Sequence, residues 1–416
     1  MSDSLSALHR RLIQLTKSIL ESLNETNYKP LESGGGATTK SIVYSLLDTA
    51  TKTTSEEIRN VFRDSTLVLA LLISSRTSTH DSLSWIPERV SVAAESAFRA
   101  FADEYVAVCK EDLVVVLLPE TVPNLKEKIK ESSIDKENES DEFSAASART
   151  PVVHAILAAY QFRWFVTQFE SPRLGELCNL VIPCALTALD HWSPEVKGQG
   201  MLAFTHIAKN VNPAEIGWYG DVILDACCQN IASADEIWEL VVEMSVLLVT
   251  CTQRSNCRSS WFERILNEML SHLERQPRNK DRRIAWLKFI EPLFNAVGLV
   301  LLAHFRRIFP LFFQWMHADD DETVLLVLKR LQVVIKLTWI RNTPYIGRLV
   351  DELTKLYKEA ALRRGREEIR ANILQILVLL QQCKGMQFEA AWDKYKDDPN
   401  LSSLGPSLSG RIVVLV

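Results

Sequence analysis

The strongest constraint on this chain is the regular recurrence of a short polar residue followed by proline. Such pairs begin at Thr150, Ser171, Ser193 and Asn212, and another begins at Thr343. A Ser, Thr or Asn side chain accepts a hydrogen bond from the first N–H groups of a helix, and a proline at the next position sacrifices no helical hydrogen bond. The first four pairs are about 20 residues apart. The spacing therefore predicts pairs of helices that repeat about every 40 residues, as in stacked helical hairpins.

Further helix starts are predicted by two capping boxes, in which Ser233 pairs with Glu236 and Asp319 pairs with Glu322. In this motif each side chain accepts a hydrogen bond from the other residue's backbone N–H group. The acidic cluster at 319–322 could also suggest a hard-cation site. A helix cap explains it without an ion, because negative charge is stabilised at a helix N-terminus.

Composition favours helices over sheets. The 416 residues include only 14 Gly, about half the usual frequency of roughly 7%. A chain with so little glycine is a poor candidate for a fold with many tight loops and hairpins. One β-branched run, Leu113 to Leu118, leaves a strand as the minor alternative. Its neighbours continue a helical pattern, so we expect a helix there.

Apolar residues follow helical spacing throughout the regular part of the chain, for example across 174–188, 196–211, 324–335 and 369–380. One amphipathic hairpin cannot bury its apolar face alone, whereas stacked hairpins share a continuous core. The predicted fold is therefore an all-α solenoid of stacked helical hairpins.

The expected domain organisation has four parts. Residues 1–125 form an N-terminal helical region, with a loop that includes one short helix, Ile42 to Asp48. The charged, Ser-rich residues 126–149 form a flexible linker. Residues 150–396 form the repeat array, and residues 397–416 form a disordered tail.

The net charge and the cysteine spacing limit the binding partners and the cellular compartment that can be expected. The net charge is −5, which gives no bulk attraction to nucleic acid or anionic membranes. The eight cysteines never form a CxxC motif and are expected to be reduced core thiols. The N-terminus lacks the pattern of a signal peptide, and apolar runs such as Leu293 to Phe305 are expected to be too short to span a membrane. We expect a soluble protein of the cytoplasm and nucleus.

The sequence predicts no catalytic, cofactor or metal site. The eight histidines are scattered without a metal-binding spacing, and Cys251 and Cys257 have no second ligand pair. The glycines at 34–36 lack the Lys-Ser/Thr ending of a phosphate-binding loop. A helical hydrolase or transferase is therefore less well supported than a function in binding proteins or nucleic acids.

Basic doublets recur in the second half of the chain, at Arg282–Arg283, Arg306–Arg307, Lys329–Arg330 and Arg363–Arg364. They could form a positive ridge that follows phosphates, as in a nucleic-acid-binding solenoid or a transport receptor. The alternatives are a solvated face or contacts with a protein or phosphopeptide.

Tryptophan is abundant, with ten residues in the chain. Trp192 lies in the predicted turn 190–193, where an apolar ring has little cover, so it is a candidate contact for a partner. Most of the others are expected to fill the core between helices. Those in the array are Trp164, Trp218, Trp238, Trp261, Trp286, Trp315 and Trp339.

The segment Leu189 to Gly198 resembles the turn of a HEAT repeat, with Asp190 ending one helix and the Val196–Lys197 pair opening the next. The longer segment Ile182 to Gly198, together with Asn212 to Glu215 and Tyr219 to Ala226, is similar to the family of the second Tel-Two-interacting protein. The segment Ile335 to Arg341 resembles the C-terminal repeat motif of that family, with Ile340 in place of proline. The resemblance covers residues 170–385.

The resemblance implies an adaptor without enzymatic activity. Members of that family act with the two other subunits of the Triple T (TTT) complex, which passes phosphatidylinositol-kinase-related kinases to the heat-shock protein ninety machinery. The candidate partner-binding residues are Trp192 and Lys197 in the first motif and Trp339 and Arg341 in the second.

Overall fold

The computed structural model describes residues 2–24, 39–52, 58–77, 81–132, 151–233, 235–341 and 344–409. Across these residues the chain is helical, without β-strands, which confirms the predicted all-α class. The helices are α1 (Ser2–Asn24), α2 (Thr39–Lys52), α3 (Ile58–Ser74), α4 (Glu88–Cys109), α5 (Leu113–Glu131), α6 (Val152–Thr167), α7 (Arg173–Glu176), α8 (Cys178–Asp190), α9 (Pro194–Asn210), α10 (Pro213–Ile216), α11 (Gly220–Ser233), α12 (Trp238–Thr252), α13 (Ser260–Arg275), α14 (Lys280–Phe289), α15 (Glu291–Val297), α16 (Phe305–Met316), α17 (Asp321–Thr338), α18 (Ile346–Glu359), α19 (Arg366–Trp392) and α20 (Gly405–Ser409).

The chain divides into two compact units, residues 1–226 and 227–416. This division differs from the predicted boundary at 126–149. Helix α5 continues through 126–131 to Glu131, so the start of the predicted linker is helical, and residues 133–149 lie outside the described part of the chain. Helix α5 also replaces the strand considered at its first six residues. Its N-terminus is capped by Asp112, whose carboxylate accepts a hydrogen bond from the Val114 N–H group at 2.8 Å.

In the first unit, consecutive helices pack as pairs. Helix α5 contacts α6 and α8, and α9 contacts α6 and α8. The close approach of α8 and α9 depends on Gly200, because a Cβ atom there would lie 2.9 Å from the Ala188 Cβ atom and 3.2 Å from the Ala185 carbonyl oxygen. Small residues at these positions let the two helices pack almost backbone to backbone.

Two of the predicted helix starts are confirmed in position, and at Asn212 the predicted side-chain cap is also present, whereas the Ser193 side chain makes no capping hydrogen bond. Ser193 and Asn212 are the N-caps of α9 and α10, each followed by proline. The Asn212 side chain accepts a hydrogen bond from the Ala214 N–H group at 3.1 Å, and the Asn212 N–H group donates to Glu215 at 3.0 Å. After Ser171–Pro172, the single-turn helix α7 precedes α8. Thr150 and Thr343 lie outside the described residues.

Both predicted capping boxes are wrong. Ser233 is the last residue of α11, and α12 begins only at Trp238 with no side-chain cap. Helix α17 is capped by Asp320 rather than by Asp319, through a hydrogen bond from the Thr323 N–H group at 2.8 Å. Asp319 and Asp320 are adjacent, and either could cap this helix. The ion pair of Asp320 with Arg283 selects Asp320.

The second unit contains two layers of helices. The first layer contains α12, the consecutive helices α14 and α15, α17 and α19, and the second contains α13, α16 and α18. Polar contacts join positions about 40 residues apart in neighbouring first-layer helices. They are Arg283 Nε to Thr323 Oγ1 at 2.9 Å, Lys329 Nζ to Glu368 Oε1 at 3.4 Å and Gln332 Nε2 to Asn372 Oδ1 at 3.0 Å. These helices are therefore parallel and in register, as the predicted repeat of about 40 residues requires.

The predicted disordered tail is wrong for residues 399–409. A 3₁₀ turn, Pro399–Leu401, and helix α20 continue the second unit, with Leu401, Leu404 and Leu408 buried. The Gln381 side chain donates a hydrogen bond to the Leu408 carbonyl oxygen at 2.8 Å. Residues 410–416 lie outside the described part.

Among the described residues, the segment Glu291–Met316 is long and apolar enough to cross a membrane, whereas the sequence predicted that its apolar run Leu293 to Phe305 is too short. The segment is divided into α15, a 3₁₀ stretch and α16. The division begins at Gly298, whose φ of +52° suits glycine. Helix α15, the 3₁₀ stretch and α16 each contact α17. The apolar composition of the segment is therefore explained by its packing in the core.

Candidate partner-binding surface

Trp192 lies in the turn between α8 and α9 and is 51% exposed, in the position expected for a partner contact. Its indole N–H group, however, donates a hydrogen bond to the Ser132 carbonyl oxygen at the end of α5, at 3.1 Å. The ring also stacks on His191, with centroids 5.6 Å apart. Trp192 therefore has a structural role in fixing the end of α5, and only the outer part of its ring is available to another protein.

His191 is the buried centre of this turn. Its Nδ1 atom accepts a hydrogen bond from the Ser193 N–H group at 3.0 Å, so the ring proton resides on Nε2, which faces the Ser132 hydroxyl at 3.4 Å. Burial lowers the pKa of His191, and the positive charge of the half-buried Lys197 lowers it further, against opposing effects of Ser132 and Asp190. Lys197 thus lowers the pKa of His191 from the first turn of α9.

We expect the stability of the chain to fall as the pH falls below about 6.5, the ordinary pKa of histidine. Because the native pKa of His191 is lowered, the unfolded chain binds a proton that the native turn excludes, at a cost of up to about 1.4 kcal/mol per pH unit. The loss of stability accumulates as the pH falls from the pKa of His191 in the unfolded chain to its lower pKa in the native state. The same sign holds for His272 and His304, whose pKa values burial also lowers.

The variant His191→Asn isolates the contribution of the turn. An asparagine side chain can accept the hydrogen bond from Ser193 as in an Asx-turn and does not titrate. Thermal unfolding of both proteins at neutral and mildly acidic pH should give a smaller acid-induced loss for the variant. Identical losses would contradict the proton linkage assigned to His191.

Trp339 and Arg341 lie in the connection after α17. Trp339 is 58% exposed and adopts φ 51°, and the next residue, Ile340, is buried with φ 45°. Both values are left-handed, and this conformation is unfavourable for a β-branched residue. It is held by hydrogen bonds from the Trp339 N–H group to Ile335 and from the Ile340 N–H group to the Thr338 hydroxyl. A proline at 340 could not adopt this φ.

Replacing Trp339 by glycine should change the free energy of unfolding by less than about 1 kcal/mol. Glycine removes the steric cost of the left-handed backbone, about 1 to 2 kcal/mol, which offsets the loss of the partly buried ring and the greater entropy of the unfolded chain. Chemical denaturation followed by circular dichroism measures the difference. A loss above about 2 kcal/mol would show that Trp339 belongs to the core, as the sequence analysis expected.

Trp218 was also predicted to fill the core and is instead 75% exposed. It stacks on Tyr219, with centroids 3.9 Å apart, in the 3₁₀ turn before α11. Its exposure was not predicted from the sequence. The signal available was its position two residues before Gly220 in a connection, where helical periodicity is interrupted. Trp164, Trp238, Trp286 and Trp315 are buried as predicted.

The basic doublets connect neighbouring repeats of the second unit. Arg283 forms an ion pair with Asp320, and Arg330 forms one with Glu291. Arg363 binds Asp321 at 3.1 Å and the Ala318 carbonyl oxygen at 2.7 Å. The remaining contacts are Arg282 with Asp235, Arg307 with Glu274, Asn267 and Ser271, and Lys329 with Glu368. These contacts occupy most of the charges that a phosphate-binding ridge would need.

Comparison with known proteins places the chain in a family. No family model matches it. The Arabidopsis thaliana protein named uncharacterized protein At2g39910 is 56% identical over 419 residues, which cover 97% of this chain and 95% of the relative. The chain belongs to the At2g39910 family.

More distant similarity extends to animal proteins. TELO2-interacting protein 2 is 22% identical over 243 residues in Homo sapiens and over 241 residues in Rattus norvegicus. Each match covers 53% of this chain and 47% of the relative. This similarity supports a relation to the TELO2-interacting protein 2 family, as the resemblance in the sequence implied, and a helical scaffold as the common feature.

Proposed function

We propose that this chain is a scaffold subunit of a TTT-like assembly and acts by binding other proteins rather than by catalysis. The observation that carries the proposal is its similarity to TELO2-interacting protein 2 over half of the chain. The name of that relative describes an interaction with TELO2. By analogy, the partner of this chain is a TELO2-type protein, together with the third subunit of the complex.

The structural features of the two units support a protein-binding role. Stacked hairpins present an extended surface along which a second protein can make many contacts. Exposed tryptophans occupy the connections in each unit, at Trp192 and Trp218 in the first and at Trp339 in the second. Tryptophan is enriched among the residues that dominate binding energy at protein interfaces.

The finer part of the proposal concerns the purpose of the assembly. With its partner subunits and the heat-shock protein ninety machinery, the chain would support the folding and steady-state level of phosphatidylinositol-kinase-related kinases. This role would be exercised in the cytoplasm and nucleus.

Co-purification tests the proposal. The tagged full-length chain is expressed in Arabidopsis cells that lack the At2g39910 protein, and its partners are quantified by mass spectrometry against cells that express the tag alone. We expect enrichment of a TELO2-type protein and of the third TTT subunit, and we expect lower kinase levels in cells without the chain. Recovery of neither subunit would overturn the proposed function.

A further inference from the structure

The two edges of the second unit differ in composition. Because α12, α14–α15 and α17 are parallel, the segments that lead from their C-terminal ends to the second layer lie at one edge. We call this the connection edge and define it as residues 253–259, 298–304 and 339–341. The hairpin turns 276–279, 317–320 and 360–365 lie at the opposite edge, where ion pairs such as Arg363 with Asp321 join neighbouring repeats.

The connection edge is basic. Arg254, Arg258 and Arg341 are exposed, and within the described part of the chain their guanidinium groups have no hydrogen-bond or ion-pair partner. The edge contains no acidic residue, and the nearest acid on an adjoining helical turn is Glu263 at the start of α13. The hairpin turns, by contrast, contain the acids Asp319 and Asp320, and Arg363 in the last of these turns pairs with Asp321 of the preceding repeat.

The same edge exposes apolar side chains. Leu299 and Val300 stand out from the 3₁₀ segment Gly298–His304, and Trp339 stands out from the left-handed turn after α17. Neighbouring packed helices are about 8 to 10 Å apart, so three successive connections span about 20 Å. An extended peptide rises about 3.3 Å per residue, and a segment of about six residues would cover that distance.

We propose that the connection edge binds an extended acidic segment of a partner protein. Carboxylates of the segment would pair with Arg254, Arg258 and Arg341, and its apolar side chains would pack on Leu299, Val300 and Trp339. The inference rests on the proposed scaffold function and adds the chemistry of the partner. Aliphatic residues between the arginines favour a peptide over a nucleic acid, because a phosphate backbone offers them nothing to pack against.

Fluorescence anisotropy with the full chain tests this inference. The probe is a fluorescein-labelled peptide of about twelve residues in which glutamate alternates with leucine or phenylalanine. We expect Arg341→Glu and Trp339→Gly each to weaken binding about fivefold or more. The matched control is Arg364→Glu at the opposite edge, since Arg364 is also exposed. This control should change the affinity by less than about twofold.

Four results would overturn the inference. The first is absence of binding by the acidic peptide, and the second is an equal effect of Arg364→Glu. The third is equal binding of a peptide with lysine in place of glutamate. The fourth is equal binding of an oligo(dT) probe with the same dependence on Arg341. If Arg341→Glu leaves recovery of the TTT subunits unchanged, the proposed function stands and only this surface is misassigned.

Discussion

Replacement of Trp286 by alanine is expected to lower the free energy of unfolding of the second unit by about 4 kcal/mol. Trp286 is fully buried in α14, and its ring contacts Phe294, Phe312 and Trp315 with centroids 5.7, 6.3 and 5.9 Å away. Truncation of a buried tryptophan costs about 3 to 5 kcal/mol because the cavity does not collapse completely. Guanidinium denaturation followed by circular dichroism measures the loss.

The matched variant Trp286→Phe should cost much less, about 1 kcal/mol or below. The Trp286 indole N–H group is buried and finds no acceptor among the described residues. Leaving such a group unpaired costs about 1 to 3 kcal/mol, so phenylalanine removes this penalty and retains an aromatic ring among the others. If both variants lose the same amount, the ring cluster is not what stabilises this part of the core.

The repeat could be predicted from the sequence because local chemistry specifies it. Pro194 and Pro213 open their helices at the first helical position, and Asn212 also caps its helix through a contact within one helical turn. The apolar spacing that follows each start is equally local. The period of about 40 residues needs only these two signals, and the register of the first-layer helices agrees with it.

Helix starts that depend on a neighbouring repeat could not be predicted in this way. Asp319 and Asp320 are equivalent as isolated caps. Arg283 of the preceding repeat pairs with Asp320 and with Thr323, and this tertiary contact selects the cap of α17. In the sequence, this contact is visible only as a basic residue, Arg283, about 40 positions before its polar partners Asp320 and Thr323.

The exposure of tryptophans was the least predictable part of the candidate site. The sequence predicts both Trp286 and Trp339 as core residues between helices, yet Trp286 is buried and Trp339 is 58% exposed. The difference arises because the chain turns into the left-handed region at Trp339, which directs this residue away from the helix face that Ile335 continues. Neither left-handed position, 339 or 340, is a glycine or an asparagine that would signal the turn.

Asp320→Ala is expected to destabilise the second unit by about 3 kcal/mol. Burial alone would raise the pKa of Asp320, but hydrogen bonds from Thr323 and Arg283 lower it, so the carboxylate is ionised at neutral pH. The variant loses a helix cap, worth about 1 kcal/mol, and leaves the largely buried Arg283 guanidinium without its counterion. An uncompensated charge of this kind is costly.

A double-mutant cycle separates the cap from the ion pair. Asp320→Asn retains an N-cap and should lose about 1 kcal/mol less than Asp320→Ala. Adding Arg283→Met to Asp320→Ala should recover part of the loss, because neither charge then remains buried alone. The free energies of unfolding of the single and double variants give the coupling between these residues. If the losses of Asp320→Ala and Arg283→Met simply add in the double variant, the ion pair does not join these neighbouring repeats. In that case α14 and α17 are held in register by their apolar contacts alone.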